Sequence, residues 1–159
     1  MLPSTNDYKI SLMIGADMFR TLENVEVVKN PNRPAEPWFS TGALAIVFKI
    51  KIDGKAYALK CFYKEAAERQ ERLEHIAQYI AENPSEYLIG IRYLDNELMV
   101  ETTDGQSQGY PVVLMEWIEG QTLDNYLKPL CEYDETEKLT ELYYEFCKLT
   151  WWLQQQPIA

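Results

Sequence analysis

Ser40-Thr41-Gly42-Ala43-Leu44-Ala45-Ile46-Val47 is followed ten residues later by Tyr57-Ala58-Leu59-Lys60. Between the two lies Asp53-Gly54, a strong two-residue hairpin signal. A turn at these two residues sets Ile52 opposite Lys55. Counting back, Lys51 then faces Ala56, Lys49 faces Ala58 and Val47 faces Lys60. Side chains alternate along a strand with period two. Val47, Ala58 and Lys60 therefore share one face, while Ile46, Phe48, Ile50, Ile52, Tyr57, Leu59 and Cys61 share the other. One face is strongly apolar; the other offers a valine, an alanine and an amine just after a turn of small residues.

That second face suits a nucleotide. Small turn residues let backbone N–H groups approach phosphates. Valine and alanine give a smooth apolar cover for a base, and lysine supplies a compact positive charge for phosphate oxygens. The plainer alternative is an ordinary hairpin whose lysine points to solvent.

The 159 residues correspond to one domain or part of one. A formal net charge of −10 argues against nucleic acid as a partner, because a phosphate backbone wants a basic surface. It leaves room for ATP, which needs only a local positive site. Cys61, Cys131 and Cys147 show no metal-ligand spacing and cannot all pair, which reads as free thiols in a reducing compartment. No signal-like stretch opens the chain and no apolar run is long enough to span a membrane, so the expected location is the cytoplasm.

Outward from the hairpin, residues 1–35 read as an amino-terminal extension with a Pro-rich linker. It holds two strand candidates, Tyr8–Ile14 and Val25–Lys29. Asn30–Pro37 carries three prolines and reads as a loop. After the hairpin, Leu73, Ile76, Ala77 and Ile80 recur at helical spacing within a helix expected over Glu65–Glu82, which Asn83-Pro84 stops. Strands are expected at Tyr87–Leu94 and Glu97–Glu101, with Asp95-Asn96 between them. A polar loop at Thr102–Gly109 and a buried strand over Pro111–Trp117 follow. Gly120 breaks the pattern. Helices then run over Thr122–Lys128 and Asp134–Gln156, the second opened by a capping box of Asp134 and Glu137. Its apolar stripe is Leu139, Leu142, Tyr143, Phe146, Leu149, Thr150 and Leu153. His75, the one histidine, has no histidine partner and reads as a surface helix position.

In this order of elements, the chain resembles the N-terminal lobe of the protein kinase fold over roughly residues 36–159. The glycine positions of the kinase G-x-G-x-x-G-x-V pattern fall on Ser40, Gly42 and Ala45, and its valine on Val47. The V-A-I-K element matches Tyr57-Ala58-Leu59-Lys60 in alanine and lysine. Val112–Gly120 resembles the strand and hinge that read adenine, with Met115 as gatekeeper and the backbones of Glu116 and Ile118 facing the base edge. The resemblance implies an α+β fold: a five-stranded antiparallel sheet with one helix across it as an N-lobe over residues 36–118. Residues 119–159 would hold the hinge and first helices of an incomplete C-lobe. It also implies ATP with Mg²⁺ as the cofactor of a full-length parent.

Two departures bear on function. Serine and alanine in place of two loop glycines restrict the backbone, so phosphates are cradled less closely. A kinase lysine also needs a glutamate on the following helix. Glu65, Glu68, Glu71 and Glu74 are on offer. Glu74 borders the apolar stripe and is the expected partner of Lys60, with Glu71 second. The resemblance places the catalytic loop and the D-F-G aspartate beyond Ala159, so this chain alone is expected to bind ATP weakly or not at all and to transfer no phosphate. Its expected partner is the missing C-lobe, or a second copy meeting it through the carboxy-terminal helix. A pseudokinase-type interaction module and an unrelated α+β binding domain are the alternatives.

Overall fold

The computed structural model describes residues 2–65 and 68–156, and the chain divides between Trp117 and Ile118 into two compact units. The protein is α+β, with a curled antiparallel half-barrel sheet and four helices. In chain order the first unit holds α1 (Thr5–Ile14), a short 3₁₀ turn, β1 (Val25–Val27), β2 (Lys29–Asn30), β3 (Arg33–Pro37), β4 (Phe39–Thr41) and β5 (Ala45–Ile52). It continues with β6 (Lys55–Phe62), α2 (Arg69–Glu82), β7 (Ile91–Glu101) and β8 (Ser107–Glu116). The main sheet has six strands rather than five, in the order β1-β5-β6-β8-β7 with β4 also on β5.

The central hairpin has the register the turn dictates: Ile52 pairs with Lys55, Lys49 with Ala58 and Val47 with Lys60. Asp53 and Gly54 both take positive φ, at 50° and 81°, as a two-residue turn of this kind requires. The apolar face closes into the main core. Ile46, Phe48, Ile50, Leu59 and Cys61 are fully buried there with Leu98, Val100 and Val112. Burial also pushes the Cys61 thiol well above its ordinary pKa.

Two sequence expectations in the amino-terminal third are overturned. Tyr8–Ile14 is part of helix α1, not a strand. Ser4 and Asp7 form a capping box at its start, and Tyr8, Ser11 and Leu12 bury one helical face against the main core. Tyr8 Oη reaches across to donate to the Phe62 carbonyl at 2.9 Å. The Pro-rich run is not a loop but a separate hairpin of β2 and β3. Pro31 lies in its turn, where Asn30 Oδ1 accepts from Asn32 N at 2.9 Å, and a two-stranded ribbon consists only of edges, which tolerate proline. This hairpin interrupts what is otherwise one edge. Val28 N donates to the Lys49 carbonyl and Lys49 N to that of Trp38, so β1 and β4 line the same side of β5.

On the far side, β7 is one strand through Asp95-Asn96, not two. Leu94 pairs with Val112 and Leu98 with Tyr110, so residues 95–97 stand against Pro111 alone. Proline has no N–H to give the ladder, and the excess is taken up as a bulge with Asn96 at φ 54°. Gly109 makes room for it: a Cβ there would sit 2.8 Å from the Asn96 carbonyl oxygen. The bulge turns Glu97 inward, only 1% exposed, where it accepts from Thr21 N at 3.0 Å and Leu22 N at 2.9 Å. A buried carboxylate thus anchors the segment leading into β1. The polar loop is shorter than expected, since β8 begins at Ser107.

Helix α2 starts at Arg69, after Glu68 in the left-handed region, and Asn83 ends it. The expected helical residues 66 and 67 lie outside the described residues. Leu73 packs on Ala45, Phe62 and Val113, whereas Ile76 stays 39% exposed.

The second unit contains α3 (Leu123–Glu132), capped by Thr122, and α4 (Thr136–Gln154). The expected capping box at Asp134 and Glu137 does not form. Glu135 is the cap position without a side-chain hydrogen bond, and Asp134 is left-handed at φ 51°. Leu123, Leu127, Leu139, Leu142, Tyr143 and Phe146 line an apolar groove between the two helices. Tyr143, Tyr144, Phe146 and Trp151 are exposed. Among the described residues no helix is long and apolar enough to cross a membrane.

Candidate nucleotide site

The antiparallel registers assemble the candidate face row by row. Ser40, Val47, Lys60, Val113 and Tyr93 form one cross-strand row, and Lys49, Ala58, Met115 and Ile91 the next. Val47, Ala58, Lys60 and Met115 therefore share one face of the sheet, and α2 packs Leu73 on that same face. The hairpin register called for Val47, Ala58 and Lys60 on one face, and Met115 joins them through the pairing of β6 with β8.

The lysine has a different environment from the one expected. Lys60 is half-buried, with Nζ 5.6 Å from the Phe62 ring centroid. Among the described residues, no ion pair joins it to Glu74 or Glu71. Glu74 accepts instead from Gln70 Nε2 at 3.0 Å, one turn earlier on α2. Tyr93 feels that carboxylate: burial first, then the charges of Asp95 and Glu74, raise its pKa. The α2 side chain that shares this aromatic neighbour with Lys60 is Arg69, whose guanidinium carbon lies 4.3 Å from the Phe62 ring centroid and which donates to the Lys64 carbonyl. Two cations thus flank one aromatic ring. Sequence reasoning missed Arg69 because it looked along the helix only for a carboxylate.

The loop residues are brought together, but as a closed turn. Gly42 N donates to the Ala45 carbonyl at 2.9 Å, Tyr63 N to that of Leu44 at 3.2 Å, and the Tyr63 hydroxyl to the Gly42 carbonyl. Gly42 takes no left-handed φ, so the backbone angle does not require glycine there. Its N–H is committed within the protein. Ala45 is buried with Phe62 and Val113, and Ser40 is exposed. Lys55 Nζ donates to the Glu116 carboxylate, and that bond raises the lysine's pKa. Ile118 belongs to the second unit and is 64% exposed.

Sequence reasoning also passed over an aromatic cluster on this face. Trp38 and Trp117 meet edge to face, with centroids 4.9 Å apart and planes at 87°. Lys49 Nζ sits 4.3 Å from the Trp117 ring centroid. Among the described residues, no group of three or more His, Cys, Asp or Glu side chains is arranged to hold a metal ion. The chain matches no protein-family model, and neither curated proteins nor solved structures show a match to it.

Proposed function

We propose that this chain is the ATP-binding, N-terminal portion of a protein kinase-like phosphotransferase. The observation that carries the reading is the common face of Val47, Ala58, Lys60 and Met115, with α2 packed on it. An alanine between a valine and the gatekeeper methionine covers a flat base, and Lys60, one row on, meets phosphate oxygens. Phosphoryl transfer further requires a base and metal-holding side chains. These 159 residues contain no histidine-containing catalytic loop and no Asp-Phe-Gly triplet, so they are not catalytically competent alone. The α3–α4 groove is then the surface on which the rest of the larger lobe, or a second copy of the chain, packs. Light scattering at tens of micromolar tests self-association: mass above 18.6 kDa supports it, and a clean monomer overturns it.

A second reading, a pseudokinase-type interaction module, is favoured by Glu74 bonding Gln70 rather than Lys60, while Arg69 and Lys60 both lie by the Phe62 ring. Titration with ATP and Mg²⁺, followed by amide chemical shifts, separates the two. Weak, millimolar binding centred on the Val47–Lys60 face and lost in Lys60→Ala supports the first. Folded protein silent to ATP supports the second. Binding indifferent to Lys60→Ala overturns the site, and submicromolar binding overturns the view that further residues are needed for affinity.

A further inference from the structure

Trp117 and Lys49 stand on opposite sides of β6. Lys49 belongs to β5, and Trp117 N donates to the Ala56 carbonyl at the end of β8. Neighbouring strands are about 4.8 Å apart, so β5 and β8 are separated by about 10 Å. The Lys49 ammonium nonetheless lies 4.3 Å from the Trp117 ring centroid. That contact spans the row between them, which on this face consists of Ala56 and Ala58. Trp38 starts one strand further out, with its carbonyl bonded to Lys49 N, and still brings its indole to 4.9 Å from that of Trp117. Both indoles therefore lean inward over the central strands. Ala58, whose methyl group an open base site would expose, is only 8% exposed. The Trp117 Nε1 proton is buried without an acceptor, a costly arrangement in the closed position.

We infer that Trp38, Lys49 and Trp117 form a cap over the base-binding part of this face, which must swing aside before adenine can stack on Ala58. This rests on the nucleotide reading above and adds regulation to it. Cation–π attraction and the edge-to-face pair hold the cap shut. The unpartnered indole N–H favours opening, because a ligand or solvent acceptor would satisfy it. Anything that engages Trp38 or Lys49 would set the affinity of the site without touching Lys60.

The test uses the whole chain, with adenosine and ATP titrated separately into wild type, Trp38→Ala and Lys49→Ala, and with folding checked by thermal melts. Lys49→Ala removes the span while leaving both indoles, which keeps the test alive if Trp38→Ala fails to fold. Acrylamide quenching, in a background carrying Trp151→Phe and Trp152→Phe, reports independently whether the remaining indoles are uncovered. The expected result is increased quenching together with adenosine affinity raised at least tenfold over wild type. Wild type binding adenosine as tightly as the variants overturns the cap and leaves the nucleotide site standing. Unchanged quenching also overturns the cap. Increased quenching with no adenosine binding in any form overturns the base-site assignment, and the proposed function with it.

Discussion

The two faces of the central hairpin differ in what covers them, and the difference separates structure from candidate chemistry. On the α1 face, Ile46, Phe48, Ile50, Leu59 and Cys61 are at 0% exposure, sealed by Tyr8 and Leu12. On the α2 face, Ala45, Ala58, Phe62 and Val113 are buried, but Val47, Lys60 and Met115 remain half-buried, and α2 has no fully buried side chain. The same two strands thus hold up the fold on one side and present adaptable groups on the other. A face that retains a lysine and alanines gives up burial that larger apolar residues would supply.

The sharpest way to break this contrast is a pair of adjacent substitutions. Leu59→Ala should lower stability by roughly 2–5 kcal/mol, as buried leucine truncations do. Lys60→Ala, one residue away on the other face, should stay within about 0.5 kcal/mol, as substitutions outside the core usually do. Urea unfolding of both variants gives the answer, and equal losses would mean that the α2 face is as structural as the α1 face.

Much of the first result is legible in the residues. A two-residue Asp-Gly turn leaves no freedom in register, and a one-residue slip would exchange the faces wholesale. Helix α1 was illegible for the opposite reason. Tyr8, Ile10, Leu12 and Ile14 alternate with less apolar residues and imitate a strand, yet Ile10 and Ile14 prove 50% and 61% exposed. The stronger signal was Ser4 three residues before Asp7, a capping pair that lacks the usual glutamate or glutamine. In the candidate site, the rows through Val47 and Ala58 follow from the hairpin. The surroundings of Lys60 do not, because they depend on where α2 begins. A start at Arg69 puts a cation over Phe62 and ties Glu74 to Gln70. The Trp38–Trp117 contact joins residues far apart in sequence, which no local pattern encodes.

Glu97 tests whether the α1 side also depends on a polar anchor. Its carboxylate holds two backbone N–H groups and the Thr21 hydroxyl. Glu97→Ala should lose roughly 1.5–3 kcal/mol, the range for hydrogen bonds to a charged group. A loss below about 0.5 kcal/mol by the same unfolding assay, the range for ordinary surface changes, would reduce the anchor to an ornament of the bulge.

Gly109 probes that bulge from the other strand. Gly109→Ala forces a methyl group against Asn96, including its backbone carbonyl, which cannot rotate away. Overpacking of this kind costs typically about 1–3 kcal/mol. Pairing it with Asn96→Gly relieves only the side-chain part of the clash, so partial rescue is expected. Full rescue would show that the backbone of β7 moves freely there.

The smallest expected effect concerns the α1 cap and its dependence on pH. Asp7 is 6% exposed, and burial alone would raise its pKa. Hydrogen bonds from the Ser4 hydroxyl and backbone N–H, with a further one from Thr103, outweigh that and hold the carboxyl below its ordinary value. A folded pKa below the unfolded one means that the charged form stabilises the protein above the unfolded value, near 3.9 for aspartate. That contribution fades as pH falls through the folded pKa. Asp7→Asn keeps the shape of the side chain but removes the charge, and should cost about 1 kcal/mol at neutral pH, the scale of a capping interaction. The gap between wild type and Asp7→Asn should narrow below about pH 4 and close under stronger acid. Urea midpoints measured from pH 7 downward test both parts. A gap that persists unchanged in acid would assign the effect to altered packing, and α1 would then be held by Tyr8 and Leu12 rather than by its cap.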